Sequence, residues 1–69
     1  MRISARNILP GTVEEVRKGQ TTAHVRIRLD GGELVTASIT NEAVDELDLK
    51  VGEAASAVIK ASEVMVAKD

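Results

Sequence analysis

Polar and apolar residues alternate strictly along Thr22–Leu29, which predicts a β-strand with one buried and one solvated face. The three residues that follow, Asp30-Gly31-Gly32, are typical of a tight turn because glycine accepts positive φ angles. A second alternating run, Glu33–Thr40, then predicts the returning strand. Together the two runs predict a β-hairpin.

Shorter patterns predict the rest of the chain. The β-branched run Thr12–Arg17 predicts the first full strand, and the extended segment before it contains Pro10, which we expect at an edge or a bulge. Asn41–Leu47 is the only helical stretch. Two apolar runs, Ala54–Lys60 and Val64–Ala67, predict the last strands. This order predicts a mainly β fold, a small five-stranded OB-like barrel with one short helix between strands 3 and 4.

The composition limits how such a fold is stabilised. The chain has 69 residues, enough for one domain spanning 1–69, and it contains no cysteine and no aromatic residue. Disulfides and thiolate metal sites are therefore excluded, and the single histidine, His24, cannot build a histidine-rich metal site. Small domains without such links usually need a partner subunit. We therefore expect association with other copies and no bound metal cation.

The charged residues argue against several functions. The net charge of −2 and the lack of aromatic stacking residues disfavour nucleic acid, although Arg26 and Arg28 on one solvated strand face keep that alternative open. Glu14 and Glu15 are strand neighbours that we expect on opposite faces, so they form no catalytic pair. We expect no enzymatic activity.

No apolar run is long enough for a membrane span or a signal peptide, so we expect a cytoplasmic protein without membrane contact.

Two segments suit a small oxyanion. Ser4-Ala5-Arg6-Asn7 offers a hydroxyl, a guanidinium, an amide and successive backbone N–H groups. Lys60-Ala61-Ser62 offers an ammonium, a hydroxyl and further N–H groups. Neither segment contains a carboxylate, which would repel an anion, although 11 of the 69 residues are acidic. On composition alone, an exposed polar segment beside a lysine at a strand end explains the pattern equally well.

Several blocks in register resemble one known family. They are Ile3-Ser-Ala-Arg-Asn7, Gly11-Thr12-Val13, the hairpin start at Ala23 and Val25, and Ala57-Val-Ile-Lys-Ala-Ser62 followed by Val64-Met65. Over essentially the whole chain, the sequence resembles the molbindin (Mop) family, small molybdate-binding proteins of the TOBE domain type. The resemblance implies no cofactor, and molybdate or the near-isosteric tungstate as ligand. It also implies a homo-hexamer, arranged as a trimer of dimers, with the anion held between subunits for molybdenum storage and homeostasis.

The resemblance also implies a set of ligands. By position they are Ser4, Ala5, Arg6 and Asn7 of one subunit, with Thr40, Lys60, Ala61 and Ser62 from a neighbour. A second type of anion site, built largely from backbone N–H groups, would use the turn at Gln20, Thr21 and Thr22.

Three residues depart from the family pattern. Thr22 stands where the family usually has asparagine, and His24 where it has glutamate, which weakens the case for the second site. Pro10 replaces a lysine or another side chain and removes one N–H group. Two other functions remain open alongside molybdate binding: a nucleic-acid-binding barrel, and an oligomerisation or sensor module that binds no anion.

Overall fold

The elements lie along the chain in nearly the predicted order. A computed structural model describes residues 1–69. Its strands are β1 (Asn7–Lys18), β2 (Thr22–Leu29), β3 (Leu34–Thr40) and β4 (Ala54–Ile59), with the helix α1 (Asn41–Leu47) between β3 and β4 and a 3-10 helix at Ala61–Glu63.

The strands form one antiparallel sheet in the order β3-β2-β1-β4. The sheet is curled into a half-barrel, and side chains alternate between its concave inner face and its outer face. On β2 the inner residues Ala23, Val25 and Ile27 are buried. This arrangement confirms the predicted mainly β, OB-like fold with one short helix between strands 3 and 4.

Strand β1 is long because it pairs with two partners in succession. Residues Asn7 to Thr12 pair with β4, and Gly11 to Lys18 pair with β2. Pro10 lies just before the first β2 pair, Gly11↔Leu29, so it has a neighbouring strand on only one side. The missing N–H of proline is tolerated at such a local edge. The strand therefore begins at Asn7 and not at Thr12.

Gly11 allows β1 and β2 to approach closely. A Cβ atom at this position would lie 2.5 Å from the Arg28 backbone oxygen and 2.7 Å from Ile27 Cγ2. We expect Gly11→Ala to destabilise the fold by about 1–3 kcal/mol, the range for overpacked sites, in urea unfolding at fixed protein concentration. In the control Gly31→Ala, the new atom would meet only the flexible Glu33 side chain. Equal stability of the two variants would contradict this close approach.

The helix is defined by its two ends. Thr40 caps the start, where its hydroxyl oxygen accepts a 3.0 Å hydrogen bond from Ala43 N. Asp48 adopts a left-handed conformation at φ 51° and ends the helix. Val44 is the buried residue of α1. Neither helical segment of the structure has the length and apolar character needed to cross a bilayer.

The structure has four strands where five were predicted. Val64–Ala67 forms no strand, because an apolar pattern favours an extended segment but cannot supply the neighbouring strand that completes a ladder. Strand β4 ends at Ile59, so Lys60 lies outside it and precedes the 3-10 helix. Strand β3 begins at Leu34, one residue later than predicted.

The single subunit leaves much apolar surface uncovered. Only six residues are buried: Val13, Ala23, Val25, Ile27, Val44 and Ala57. The concave face opens into a largely apolar cleft of about 730 Å³ between β3 and β4. Met65 and Val66 are 94% and 92% exposed, although both are apolar. A domain of this size is marginal on so small a core.

Candidate functional site

The two donor-rich segments of the sequence meet at one end of the β1–β4 ladder. Asn7 and Ile59 are the last paired residues there, and Asn7 Nδ2 also donates a 3.1 Å hydrogen bond to Ile59 O. Residues 4–7 and 60–62 therefore leave the ladder side by side. This long-range pairing could not be predicted from either segment alone. We call the two segments together the donor cluster.

The donor cluster contains two cations without a counter-charge. Arg6 immediately precedes Asn7, and Lys60 immediately follows Ile59. Both side chains are exposed, and neither takes part in an ion pair. In contrast, Lys18 Nζ lies 2.5 Å from Asp45 Oδ1, and three further basic residues are also paired. Two adjacent unpaired cations provide a local positive field in a chain of net charge −2.

Backbone and hydroxyl groups add further donors to the cluster. The N–H groups of Ser4, Ala5 and Arg6 donate to no carbonyl of the chain. Ser4 is exposed, whereas Ala5 is half-buried. Ala61 and Ser62 lie in the 3-10 helix, both exposed. The nearest carboxylate along the second segment is Glu63, and none occurs in residues 1–13. The cluster is therefore rich in donors and poor in competing acceptors.

Thr40 lies at the opposite end of the sheet from the donor cluster. It pairs with Thr22 at the start of β2, beyond the last β1–β2 pair, Lys18↔Ala23, whereas the cluster adjoins the first residue of β1. Its hydroxyl oxygen already accepts the helix-capping hydrogen bond, but its O–H remains able to donate. One subunit thus assembles seven of the eight predicted ligand residues at one end and holds the eighth elsewhere.

The predicted second site occupies the turn between β1 and β2. The turn is closed by a 2.7 Å hydrogen bond from Gly19 N to Thr22 O. Asn41, the first residue of α1, connects the helix to this turn by two hydrogen bonds of 2.9 Å. Its backbone N–H donates to Thr21 O, and its side-chain Nδ2 donates to Gly19 O. The successive N–H groups of Gln20 and Thr21 donate to no carbonyl of the chain. The second site stays a prediction, with these two free donors beside Thr22.

The outer face of β1 and β2 differs from expectation. The register shifts between Val13 and Glu15, so a β-bulge turns both Glu14 and Glu15 to the outer face. Strict alternation had placed them on opposite faces, because a bulge leaves no clear mark in the sequence. Each carboxylate forms an ion pair with an arginine of β2.

The two ion pairs, Glu14–Arg28 and Glu15–Arg26, lie side by side across β1 and β2, and we call them the outer ladder. Arg28 Nε donates a short hydrogen bond to Glu14, and Arg26 Nε lies 3.5 Å from Glu15 Oε1. The hydrogen bond from Arg28 holds the pKa of the Glu14 carboxyl below its ordinary value, so this pair is charged at neutral pH. The two arginines that favoured a nucleic-acid-binding alternative are therefore each neutralised by a carboxylate.

An apolar pair that the sequence patterns did not single out lies beside the donor cluster. Ile8 and Val58 are directly opposite each other on β1 and β4, one residue from the Asn7↔Ile59 pair. They are 41% and 39% exposed, because they face away from the half-barrel interior that receives Leu9 and Ala57. The only signal in the sequence was that β4 is apolar on both faces.

The curled four-stranded sheet, with a capped helix after its third strand, defines a small OB-like β domain with a donor cluster at one strand end. A family model for the TOBE domain matches residues 3–66. The chain belongs to this family.

Curated relatives cover the same region. The probable molybdenum-pterin-binding protein of Haemophilus influenzae is 46% identical over 66 residues, which are 96% of this chain and 96% of that protein. Molybdenum-pterin-binding protein 3 of Clostridium pasteurianum is 44% identical over 96% of this chain and 97% of its own length. The molybdenum transport protein ModE of Herbaspirillum seropedicae is 51% identical, and the chain spans about a quarter (24%) of its length.

Solved structures share the fold over nearly the whole chain. A molybdate-binding protein from Sporomusa ovata superposes with a TM-score of 0.93 at 40% identity, covering 99% of this chain and 100% of that one. The cytoplasmic molybdate-binding protein ModG, crystallised with molybdate bound, gives 0.90 at 54% identity, covering 94% of this chain and 46% of that one. Molybdate binding is thus a property of structural relatives whose sequences are close to this one.

Proposed function

We propose that this protein binds molybdate, and the near-isosteric tungstate, at the donor cluster. The observation that carries the proposal is the pairing of Asn7 with Ile59, which brings two acid-free segments and two unpaired cations together. The molybdate-binding relatives support the identity of the anion.

The chemistry of the cluster suits a fully deprotonated tetrahedral dianion. Such an ion has four oxygens that accept hydrogen bonds and none that donates. Arg6 and Lys60 compensate its charge, and N–H and O–H groups satisfy its oxygens. Phosphate at neutral pH retains a proton that needs an acceptor. A pocket without a carboxylate or imidazole offers only hydroxyl and amide oxygens for that proton, which disfavours phosphate.

We propose the complete ligand set that the family resemblance implied. Its members are Ser4, Ala5, Arg6, Asn7, Thr40, Lys60, Ala61 and Ser62. Asn7 has a double role, because one hydrogen of its side-chain amide is bonded to Ile59 O and the other is available to the anion.

The position of Thr40 supports a site formed between copies of the chain. Because Thr40 and the donor cluster lie at opposite ends of the sheet, the full ligand set requires a second copy. In the arrangement that the register favours, one copy supplies the donor cluster and its neighbour supplies Thr40. This differs from the division that the resemblance implied, in which Lys60, Ala61 and Ser62 also come from the neighbour.

Uncovered apolar surface supports the same assembly. The pair Ile8 and Val58 adjoins the donor cluster, so an interface there would exclude water from a bound anion. The apolar segment Val64–Val66 is also exposed and could be covered by a neighbouring copy. We propose a homo-hexamer built as a trimer of dimers.

The proposed role is storage and homeostasis of molybdenum in the cytoplasm, without catalysis. The donor cluster offers positive charge and hydrogen-bond donors but contains no carboxylate, imidazole or thiol that would serve as a general base. Binding at such a site holds the oxyanion reversibly and leaves its bonds unchanged.

Calorimetric titration of the full chain tests the proposal. Molybdate and tungstate should give saturable heats of similar affinity at micromolar protein, because the two anions have the same charge and nearly the same size. Sulfate is the control, since it is also a fully deprotonated dianion but is smaller. No heat with molybdate would rule out the function, and sulfate binding of equal strength would show that the cluster selects charge alone.

A further inference from the structure

The outer ladder continues into a third rung of different chemistry. Arg17 on β1 lies directly opposite His24 on β2, and the alternation of β2 puts His24 on the same face as the two arginines of the ladder. The first two rungs each pair an acid with a base. The third pairs a guanidinium with an imidazole and contains no acid.

A polar cleft lies at this third rung. Its volume is about 290 Å³, and it is lined by Arg17, Lys18, Gly19, Thr22 and His24. No carboxylate and no apolar side chain line it. Lys18 is already bonded to Asp45 at 2.5 Å, whereas Arg17 forms no ion pair. Arg17 is therefore the cation of the cleft that is available to a ligand.

The third rung is electrostatically incomplete. Arg17 and His24 supply no negative charge to this rung, and like charges directly opposite each other on two strands are destabilising. An oxyanion between them would take the place that a glutamate carboxylate takes in the other two rungs. The guanidinium can hold two oxygens of such an ion with parallel hydrogen bonds.

We propose that this cleft, which shares only Thr22 with the predicted second site and uses side chains instead of backbone N–H groups, binds a small tetrahedral oxyanion that carries a proton, with hydrogen phosphate as its model ligand. In this site Arg17 binds two oxygens and the Thr22 hydroxyl donates to a third. The unprotonated ring nitrogen of His24 accepts the hydrogen bond from the ligand's own O–H group. The donor cluster contains no imidazole and no carboxylate, so an acceptor of this strength is particular to the cleft.

The proposal does not depend on molybdate binding, and nuclear magnetic resonance can test it on the full chain. Inorganic phosphate added at pH 7 should shift the His24 imidazole and Thr22 amide resonances in a saturable manner. Arg17→Gln should weaken this binding roughly tenfold, the value of a charged hydrogen bond. His24→Phe, which keeps a flat ring but removes the acceptor, should reduce the Thr22 shifts at equal phosphate concentration.

Two matched variants separate this site from other effects. Arg2→Gln removes the same charge from an exposed, unpaired arginine outside the cleft, and it should leave phosphate binding unchanged. Arg6→Gln alters the donor cluster and should also leave it unchanged, whatever its effect on molybdate. Phosphate-induced shifts that do not saturate, or an Arg2→Gln effect as large as that of Arg17→Gln, would overturn the proposal in favour of unspecific charge attraction.

Discussion

Replacing Arg6 with glutamine should weaken molybdate binding by roughly one to two orders of magnitude, because a hydrogen bond to a charged group contributes about 1.5–3 kcal/mol. Glutamine keeps much of the length and some donor capacity of the side chain but removes the charge. The side chain is exposed and unpaired, so the change should leave the fold intact. Calorimetric titration of both proteins with molybdate, at the same salt concentration, measures the difference.

Arg2→Gln is the matched control for this prediction. Arg2 is also exposed and unpaired, it lies four residues away, and the variant has the same net charge. The control should change molybdate affinity by less than about twofold, because a distant exposed charge is screened by salt. Equal losses in the two variants would mean that only net charge matters, and would remove Arg6 from the site.

The double variant Ile8→Gln with Val58→Gln should separate the subunits and abolish high-affinity molybdate binding. The two residues form an exposed apolar pair beside the donor cluster, and an interface over this pair would bury both side chains. Each side chain is about 40% exposed, so covering the remainder at an interface is worth about 1 kcal/mol, and a buried glutamine amide without a partner costs roughly 1–3 kcal/mol more. Native mass spectrometry should show smaller species, and calorimetry should show a matching loss of molybdate heat.

Glutamine is chosen because it is neutral, so any loss of molybdate affinity cannot come from charge repulsion. Val51→Gln is the control, since Val51 is a 64% exposed valine in the loop after α1. That variant should keep both the assembly and the affinity. Dissociated subunits that still bind molybdate tightly would contradict a site formed between copies, while leaving the donor cluster itself in place.

Local patterns predicted the parts of the fold that depend on neighbours along the chain. The alternation in β2 and β3 follows from the two-residue period of a strand, and both strands and their hairpin were predicted within one residue of their bounds. The helix Asn41–Leu47 was predicted with its bounds, because a capping residue and short apolar spacing are also local signals.

Features that depend on partners distant in sequence were not predictable. The sequence around Glu14 contains no signal for the β-bulge that turns two consecutive glutamates to the outer face. The apolar run Val64–Ala67 suggested a fifth strand, but a strand needs a neighbour that the pattern does not identify. The donor residues themselves were identified from composition and family resemblance. Their meeting at the Asn7↔Ile59 pair, and the separation of Thr40 from them, required the strand register.

The hydrogen bond from Asn7 Nδ2 to Ile59 O limits fraying at this end of the sheet. Strand ends fray first, since their last residues have the fewest contacts. Here a side-chain bond reinforces the final backbone pair, so segments 4–6 and 60–62 stay adjacent even without an anion. The conformational entropy lost in bringing these two segments together is then lost during folding, and an arriving oxyanion meets a preorganised cluster of donors.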